Sequence, residues 1–472
     1  MNTLKFINRD RELNSLRNTL SSTRSEFIIL YGRRRVGKTE LLKHLLKEVD
    51  NSVYFTGRHE TPHHLVTRLS RIISERVNDD YILRYPFRSF DEALEYITRN
   101  ELVIAFDEFP YMVTTDPSIP SILQEYWDNK MKSSKVKMIL CGSSIGMMER
   151  HLMKYSSPLY GRRTKQMKLE ALHFSDISSF FPNQNITELI RIFGVLGGTP
   201  AYLLEYENDI FTTITKRILD KEEYLYRDVE FVLREELREP RYYFSILTSI
   251  ASGRTKLSGI MDDTGLSRDI TSKYLSVLTD LGIIQRTIPI TENTTSRKGL
   301  YKIRDNYFRF WFRYVYQNLD LVELGNIPYV LEMIHNDFPN YMGKVFEEIV
   351  VQVFQRTNAH GVFPFIPTRI GGWWDKNEEI DIVALDERTG DIGYGEVKFQ
   401  KRKVGLDILN ELKRKSNLIQ KVTKRHEYYL LVSRSGFKKN LIEHKGDNVI
   451  LMDLKDFENH MEIRNMTSTN GM

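Results

Sequence analysis

The stretch FIILYGRRRVGKTELLKHLLK, from Phe27 to Lys47, decides the fold of the amino-terminal part of the chain. Its first five residues form a short apolar run of strand-forming types, and a helical pattern begins at Glu40. Between them, GRRRVGKT from Gly32 to Thr39 matches the pattern G-x-x-x-x-G-K-[ST] in the strand–loop–helix context that this pattern requires. The sequence therefore predicts a phosphate-binding loop between a buried strand and a helix.

Each residue type in this loop has a physical role in binding a nucleotide. Gly32 and Gly37 let the backbone curl so that its N–H groups point at phosphate oxygens, and the helix N-terminus adds partial positive charge. We expect Lys38 to contact the β and γ phosphates and the Thr39 hydroxyl to ligate Mg²⁺. ATP with Mg²⁺ is therefore the expected cofactor pair.

Two further apolar runs end in polar residues suited to the same site. Leu102–Phe106 leads into Asp107 and Glu108, the Walker B arrangement. Asp107 is predicted to hold Mg²⁺ through water, and Glu108 to orient and deprotonate the attacking water. Met138–Cys141 leads to Ser143, which can sense the γ phosphate from an adjacent strand tip. The sequence thus predicts ATP hydrolysis as well as binding.

Five motifs make the chain resemble the archaeal P-loop ATPases of the signal-transducing class, which carry a regulatory helical lid within the wider AAA+-like group. The motifs are the Walker pair, FINRDREL (Phe6–Leu13), CGSS (Cys141–Ser144), LYGRR (Leu159–Arg163) and GGTPAYL (Gly197–Leu203). The resemblance implies that Pro200, in the lid, contacts the nucleotide. It also implies that Arg162, or its neighbour Arg163, neutralises charge in the transition state, although an exposed arginine pair is often only solvated.

A second informative stretch is EIDIVALDERTGDIGYGEVKF, from Glu379 to Phe399. Two strand-like runs surround a loop rich in turn-forming residues, which predicts a β-hairpin. If the two aspartates that flank the loop ERTG pair with each other, Asp381 falls opposite Glu396, and Lys398 lies on the same face. Two opposed carboxylates repel, so the arrangement calls for a cation.

These charges form a D…(D/E)-x-K constellation typical of nucleases. Asp381 and Glu396 are predicted to bind Mg²⁺ or Mn²⁺ through oxygen, and Lys398 to position the attacking water. The pattern resembles the restriction-endonuclease-like domain that many such ATPases carry at the C-terminus. The resemblance implies a further metal ligand on the first helix of that domain, Glu347, with Glu348 as the alternative. A solvated hairpin with incidental charges is the structural alternative.

The middle of the chain has the pattern of a winged helix-turn-helix. Its predicted elements are helices at Tyr242–Ala251 and Lys256–Met261, a third helix capped by Ser267, and two strands around the polar loop Thr291–Lys298,. One interpretation puts Arg268 and Lys273 in a DNA groove, with Arg297 and Lys298 on phosphates. The other makes the module a structural hinge that transmits the nucleotide state.

Composition limits the class of protein. The 472 residues suit about three domains, with 41% hydrophobic residues and a net charge of +5. A single cysteine, Cys141, suits a reducing compartment. No signal-peptide pattern and no apolar run of about 18 residues is present, so we expect a cytoplasmic protein without a membrane span. From Val397 to Arg425, ten Lys/Arg stand against two Asp/Glu; they could bind a polyanion or form a solvated helix face.

The sequence therefore predicts a multidomain α/β protein: a P-loop NTPase parallel sheet with a helical lid, a winged helix, and a C-terminal α/β/α restriction-endonuclease-like domain. The expected boundaries are 1–165 for the ATPase core, 166–238 for the lid, 239–310 for the winged helix, 311–340 for connecting helices, 341–460 for the nuclease-type domain and 461–472 for a tail. The expected function is ATP-controlled, metal-dependent cleavage of nucleic acid, with DNA as the expected partner. The alternative is an ATP-dependent DNA-binding regulator or switch with an inactive C-terminal domain. Oligomerisation stays open.

Overall fold

A computed structural model describes residues 7–237, 239–419 and 425–467, with side chains through residue 461. The described chain forms two compact units. The first contains the residues up to Leu172 together with Thr199–Ala201 and 232–237, and the second contains His173–Gly198, Tyr202–Phe231 and the residues from Glu239 onward. The predicted lid is therefore divided between the units. Phe6, Lys421, Lys424 and the tail residues 468–472 lie outside the described residues.

A five-stranded parallel sheet forms the centre of the first unit. Its strands are β1 (Glu26–Tyr31), β2 (Ser52–Thr56), β3 (Val103–Asp107), β4 (Lys137–Gly142) and β5 (Lys165–Lys168), in the order β2-β3-β4-β1-β5. Successive residues of β1 alternate between two hydrophobic clusters: Ile29 packs in one, and Ile28 and Leu30 in the other. Because both faces are covered, the strand is a continuous apolar run. The parallel P-loop sheet predicted from the sequence is confirmed.

Helices connect these strands and cover the sheet. They are α1 (Asp10–Leu20), α2 (Lys38–Leu46), α3 (Pro62–Val77), α4 (Asp80–Arg84), α5 (Phe90–Arg99), α6 (Phe109–Thr115), α7 (Ile119–Asn129) and α8 (Ile145–Met148). In the predicted lid region lie α9 (Phe174–Ile177), α10 (Ile186–Leu196), α11 (Pro200–Leu203), α12 (Ile210–Thr213) and α13 (Tyr224–Glu236). Further helical turns lie at Met131–Ser133, Glu149–Met153, Ile214–Ile218, Trp311–Val315 and Tyr316–Asn318. Both α11 and α13 extend across the division between the units.

The segment after residue 239 consists of three helices and a two-stranded hairpin. The elements are α14 (Pro240–Ala251), α15 (Leu257–Thr264), α16 (Arg268–Asp280), β6 (Ile284–Thr287) and β7 (Leu300–Ile303). The two strands pair antiparallel. As predicted, α16 begins after Ser267, although the Ser267 side chain makes no capping hydrogen bond. These elements follow the predicted order along the chain.

Several helical segments occupy the predicted connector, residues 311–340, and the last of them continues beyond it. After α17 (Asn306–Phe310) and α18 (Leu319–Glu323), helix α19 runs from Ile327 to Thr357 and carries Pro339 in its interior. The predicted division between residues 340 and 341 therefore falls inside a helix, because buried side chains continue across it, including Phe338 and Met342. Neither α19 nor any other described helix combines the length and apolar character needed to cross a bilayer.

A second five-stranded sheet forms the C-terminal α/β domain. Its strands are β8 (Arg369–Asp375), β9 (Glu378–Asp386), β10 (Asp391–Lys398), β11 (Glu427–Ser433) and β12 (Val449–Asp453), and its later helices are α20 (Leu406–Ser416), α21 (Lys439–His444) and α22 (Leu454–Thr467). The order is β12-β11-β10-β9-β8, with β8, β9 and β10 antiparallel and β10, β11 and β12 parallel. Leu409 of α20 shares a core with Tyr394, whereas Phe346 of α19 packs on Phe399. Alternation along the strand puts Tyr394 and Phe399 on opposite faces, so helices cover both.

Candidate functional site

Glycine is required at both ends of the P-loop, for different reasons. The loop leaves β1 at Gly32, where an added Cβ would lie 2.2 Å from the carbonyl oxygen of Leu169. It enters α2 at Gly37, whose φ of 96° is in the left-handed region that favours glycine,. Apart from its two chain neighbours, no described residue comes within 4 Å of the Cβ position at Gly37. The loop therefore keeps open space at the start of the helix, where backbone N–H groups can bind an anion.

The Lys38 side chain folds back over this loop. Its ammonium donates hydrogen bonds to the carbonyl oxygens of Gly32 and Arg33, each at 2.8 Å. Burial lowers the pKa of Lys38, while the nearby carboxylates of Asp107 and Glu108 oppose that shift. The ammonium is thus held at the loop by weak neutral acceptors, an arrangement that favours exchange for phosphate oxygens.

The carboxylate of Asp107, the last residue of β3, accepts hydrogen bonds from the P-loop helix and from β2. The Thr39 hydroxyl and the Tyr54 hydroxyl both donate to Asp107 Oδ2 at 2.7 Å, and the backbone N–H of Glu108 donates to Oδ1 at 2.9 Å. Tyr54 was not predicted, although it lies on β2 beside β3 and pairs with Ala105. Burial and the bond to Asp107 raise the pKa of Tyr54. Tyr54 therefore orients this carboxylate as a neutral donor.

The predicted base Glu108 is held by the neighbouring strand. Ser143, just beyond β4, donates from its hydroxyl to Glu108 Oε2 at 2.9 Å. The next residue, Ser144, donates to Glu236 Oε2 at 3.1 Å, and burial raises the pKa of Glu236. Ser143 therefore reaches the predicted site but contacts the carboxylate of Glu108 in this structure.

Pro200 is the first residue of α11, and Thr199 before it is buried. Both belong to the first compact unit, which also contains the P-loop. The contact between Pro200 and a nucleotide stays a prediction.

Arg162 lies away from the P-loop of its own chain, contrary to its predicted role. The backbone N–H of Thr164 donates to the Phe27 carbonyl, which places this segment beside the start of β1. The P-loop leaves the other end of β1 after Tyr31, roughly 13 Å further along a strand that rises 3.3 Å per residue. The guanidinium of Arg162 donates to Asp128 Oδ2 at 2.9 and 2.6 Å and lowers the pKa of that carboxyl. Arg162 is therefore engaged in an ion pair at the opposite edge of the sheet.

The predicted register of the C-terminal hairpin is confirmed. Asp386 pairs with Asp391, and the ladder continues to the residue before Glu396. One further step puts Asp381 opposite Glu396, and Asp381 Oδ2 accepts a hydrogen bond from the Val397 N–H at 2.8 Å. Asp381 and Glu396 therefore lie opposite each other near the carboxyl end of β10.

Three acidic residues form a group that we call the carboxylate cluster: Glu347 of α19 with Glu379 and Asp381 of β9. Each offers an oxygen within 4.8 Å of the other two, a spacing that could hold a metal ion. Burial, together with the charges of Glu347 and Glu396, raises the pKa of Asp381 well above its ordinary value. Glu379 was missed in the sequence, yet it lies two residues before Asp381 and hence on the same strand face.

Glu396 is tied to lysines and is not one of the three clustered carboxylates. Lys398 donates to Glu396 Oε1 at 2.6 Å, and the Lys415 ammonium lies 3.6 Å from Oε2. That Oε2 is buried and accepts no hydrogen bond from the described residues. Burial acts to lower the pKa of Lys398, but Glu396 and Asp381 raise it overall. The predicted metal set of Glu347, Asp381 and Glu396 is therefore modified: Glu379 is added, and Glu396 stands beside the cluster with one unsatisfied oxygen.

A lysine that was not predicted lies at the cluster. The Lys344 ammonium is 3.0 Å from Glu347 Oε2 and 2.5 Å from Glu379 Oε1. Burial raises the pKa of Glu347 even though Lys344 acts to lower it. Lys344 is one helical turn before Glu347, at the i, i+3 spacing that brings side chains together.

The alternative ligand Glu348 is used elsewhere. It accepts from Arg309 at 2.7 Å and lies 3.2 Å from the Lys302 ammonium. Although burial raises its pKa, these two cations lower the pKa of Glu348 to about 2. Of the two glutamates on α19, the structure therefore brings Glu347 to Asp381.

The loop of the β6–β7 hairpin packs on β8, which changes the expectation for Lys298. Its ammonium lies 2.8 Å from Asp375 Oδ1 and 3.3 Å from Glu292, and its carbonyl accepts from Trp374 Nε1 at 2.8 Å. Because Lys298 is already ion-paired, the predicted phosphate contact is not supported. The other three predicted DNA contacts are exposed: Arg268, Lys273 and Arg297.

Comparison with known proteins defines the family. Residues 6–206 match an ATPase domain found predominantly in Archaea, and residues 311–426 match a domain of archaeal and bacterial proteins of unknown function. An uncharacterised protein of Methanocaldococcus jannaschii is 33% identical over 454 residues, which cover 96% of this chain and 100% of that relative. The chain belongs to this archaeal ATPase family. The P-loop therefore lies in the part of the chain that matches an ATPase domain.

Two solved structures are also similar to this ATPase. A Walker-type ATPase of Pyrococcus abyssi has a TM-score of 0.48 and 22% identity, covering 65% of this chain and 95% of its own. The ORC2 protein of Aeropyrum pernix, solved as ADPNP–ADP complexes, has a TM-score of 0.42 and 12% identity, covering 70% of this chain and 95% of its own.

Proposed function

We propose that the chain binds and hydrolyses ATP, and that its nucleotide state controls a metal-dependent nuclease-type domain that acts on nucleic acid, with DNA as the substrate. The observation that carries the second half of this proposal is the carboxylate cluster, with Lys398 and the unsatisfied Glu396 oxygen beside it. The winged-helix assignment of residues 239–310 and the restriction-endonuclease-like assignment of the C-terminal domain belong to the same proposal.

The residues at the P-loop edge fit ATP and Mg²⁺. Bound ATP supplies the phosphoanhydride and Mg²⁺ neutralises its charge. Lys38 exchanges its two carbonyl acceptors for phosphate oxygens, while Thr39 and Asp107 provide the oxygen ligands that Mg²⁺ prefers,. Glu108, held by Ser143, accepts the proton of the attacking water,. Pro200 is proposed to contact the nucleotide from the lid segment.

The residues of the C-terminal domain fit a divalent cation. Mg²⁺ or Mn²⁺, when bound, lowers the pKa of a coordinated water and stabilises phosphoryl charge. Glu347, Glu379 and Asp381 provide hard oxygen donors, and Glu396 Oε2, which accepts no hydrogen bond from the described residues, offers one more acceptor,. The role proposed for Lys398 is to orient the water.

The first test concerns nucleotide turnover by the full-length chain. Lys38→Ala removes the buried ammonium and is expected to abolish ATP hydrolysis, whereas Glu108→Gln retains ATP binding and stalls turnover. Lys43→Ala is the matched control, because Lys43 is an exposed lysine of the same helix. Equal ATPase rates for the wild type and Lys38→Ala would reject the proposed site.

The second test concerns the metal. Asp381→Asn removes a cluster carboxylate and is expected to abolish both the rise in melting temperature with Mn²⁺ and any cleavage of DNA. The metal-free protein should be as stable as wild type or slightly more so, because like-charge repulsion is relieved. Asp391→Asn, at the loop end of the same hairpin, is the control and should keep the metal response. A wild-type protein that does not respond to millimolar Mn²⁺ would end the nuclease assignment.

One observation favours the alternative of a DNA-binding regulator with an inactive C-terminal domain. Lys344 already neutralises charge at two of the three cluster carboxylates, and Lys398 neutralises Glu396. Stoichiometric DNA binding without nicking in Mn²⁺, combined with normal ATP hydrolysis, would select this alternative.

A further inference from the structure

The structure divides the seven cations from Lys398 to Lys415 into those already engaged by other side chains and those left exposed. Arg414 pairs with Glu378 and Glu411, while Lys398 and Lys415 both face Glu396. Lys413 lies over the Tyr429 ring. These cations stabilise the domain itself.

The remaining cations of the loop that follows β10 are a run of three: Lys401, Arg402 and Lys403. All three side chains are exposed. No carboxylate of the described residues lies within 4 Å of their charged nitrogens. Among the described residues, their charge therefore has no carboxylate counter-ion and faces solvent, unlike that of the helix that follows.

A second basic loop lies beside the first. Strand β11 runs parallel to β10, with Ser433 level with Lys398, so the loops that follow the two strands leave the same edge of the sheet. The second loop adds Arg434 and Lys438, and the first residue of α21 adds Lys439, which is 88% exposed. We call these six cations the basic edge: Lys401, Arg402, Lys403, Arg434, Lys438 and Lys439.

Backbone and side-chain hydrogen bonds join the two loops. The Arg434 N–H donates to the Lys398 carbonyl at 3.0 Å, and the Lys438 N–H donates to the Val404 carbonyl at 2.8 Å. The Ser435 hydroxyl donates to the Gln400 carbonyl at 2.6 Å. These bonds fix the backbones of the two loops relative to each other, which reduces the backbone entropy lost on binding a ligand.

The field at this edge is positive overall. The guanidinium of Arg434 lies over the Phe399 ring at 4.7 Å, and burial and the charge of Arg191 lower its pKa. Carboxylates oppose these six cations at Asp407, in the first turn of α20, at Glu443, which is 3.4 Å from Lys439, and at Asp453, which ends β12 level with Ser433. Such an excess of cations attracts a polyanion.

The basic edge lies next to the carboxylate cluster. Glu396 is opposite Asp381, and Lys398 follows two residues later, roughly 7 Å along the strand. The first basic loop begins just beyond Lys398. Successive nucleotides of a duplex are separated by roughly 3.4 Å along its axis. If one phosphate lies at the cluster, the phosphates of the next few nucleotides on one side can therefore reach the basic edge.

We propose that the basic edge is a binding surface for the phosphate backbone of a nucleic acid, and that it guides the strand to the carboxylate cluster. The inference deepens the proposed function by locating its substrate-binding surface, and it rests on that proposal for the role of the cluster. The two ideas fail separately, because backbone binding needs neither a metal nor cleavage.

The test measures binding by the full-length chain in EDTA, where no metal-dependent cleavage occurs. Fluorescence anisotropy follows a labelled duplex of about 30 base pairs between about 50 and 200 mM salt. The variant Lys401→Glu/Arg402→Glu/Lys403→Glu should weaken binding about tenfold or more, and the slope of log K against log salt should fall by about 2 to 3. A second variant, Lys438→Glu/Lys439→Glu, tests the other loop and replaces the first if that one fails to fold.

A charge-matched control separates local contacts from net charge. Lys47→Glu/Lys154→Glu/Lys216→Glu reverses three exposed lysines outside the basic edge and should keep wild-type affinity and slope. Equal losses in the control and the triple variant would overturn the inference, as would a wild type that binds no duplex. The inference would also be overturned if the triple variant of the basic edge no longer bound phosphatidylserine vesicles but bound DNA as the wild type does. An anionic membrane would then be the partner of this surface. If the wild type shows no response to millimolar Mn²⁺ and cleaves no DNA but still binds the duplex through the basic edge, the inference stands while the nuclease assignment falls.

Discussion

Two consecutive glutamates of α19 occupy opposite electrostatic environments, and the structure predicts opposite effects of neutralising them. Glu348 faces cations: it accepts from Arg309 at 2.7 Å and lies 3.2 Å from Lys302. Glu347 faces the other two members of the carboxylate cluster. We therefore expect Glu348→Gln to destabilise the protein, and Glu347→Gln to leave its stability unchanged or to raise it.

The size of the effect follows from the Glu348 pKa. Its fall from an ordinary 4.5 to about 2 corresponds to a stabilisation of the charged form by roughly 3 kcal/mol,. The Glu348 side chain is 32% exposed, so solvent screens part of this, while Arg309 is only 14% exposed and would lose a partner for its charge. We expect Glu348→Gln to lower the free energy of unfolding by about 2 kcal/mol, and Glu347→Gln to change it by less than about 0.5 kcal/mol.

Urea unfolding followed by tryptophan fluorescence measures the difference. Three of the four tryptophans lie in the second compact unit, at positions 311, 373 and 374, so the signal reports mainly on the unit that contains α19. A chain with two units can unfold in more than one step, so the same transition must be compared in each variant.

The pH dependence gives a second check. A carboxylate with a depressed pKa contributes stability above its ordinary pKa and loses that contribution as pH falls toward the folded value. The deficit of Glu348→Gln should therefore be constant from pH 7 to about 5.5 and shrink between about 4.5 and 2,. If Glu348→Gln is no more destabilising than Glu347→Gln, or if its deficit persists undiminished near pH 3, the electrostatic account of α19 is wrong.

Three further perturbations test other parts of the structure. Lys344→Met removes the ammonium beside Glu347 and Glu379, so Mn²⁺ should bind about fivefold more tightly in calorimetry, by roughly 1 kcal/mol; unchanged affinity would show that Lys344 does not compete with the metal. Arg162→Ala loses a surface ion pair with Asp128 and should cost less than about 1 kcal/mol in thermal unfolding, with ATP turnover unchanged. A large loss of ATP turnover in Arg162→Ala would instead support the predicted role of Arg162 in the transition state. Gly32→Ala places a Cβ 2.2 Å from the Leu169 carbonyl oxygen; it should abolish ATP binding in a fluorescent-nucleotide assay, and wild-type affinity would contradict the described loop.

Local patterns predicted the elements and much of the chemistry. The P-loop follows from a strand, a glycine-bounded loop and a helix that are consecutive in the chain, so spacing alone located Lys38 and Thr39. The hairpin register followed from a four-residue loop, because a fixed turn length determines which residues of two antiparallel strands face each other. Asp381 and Glu396 could therefore be paired before any tertiary contact was known.

Contacts between distant segments could not be predicted in this way. The hydrogen bond from Tyr54 to Asp107 depends on the order of strands in a parallel sheet, which the chain order does not determine. Glu347 and Glu348 are adjacent in sequence, and only the packing of α19 sends one to the carboxylate cluster and the other to Arg309. The same holds for Arg162, whose distance from the P-loop arises because β5 starts beside the far end of β1. A sequence thus determined which charged groups this protein carries and where its strands turn, whereas the tertiary structure decided which charges are neutralised, because ion pairing depends on distances between segments far apart in the chain.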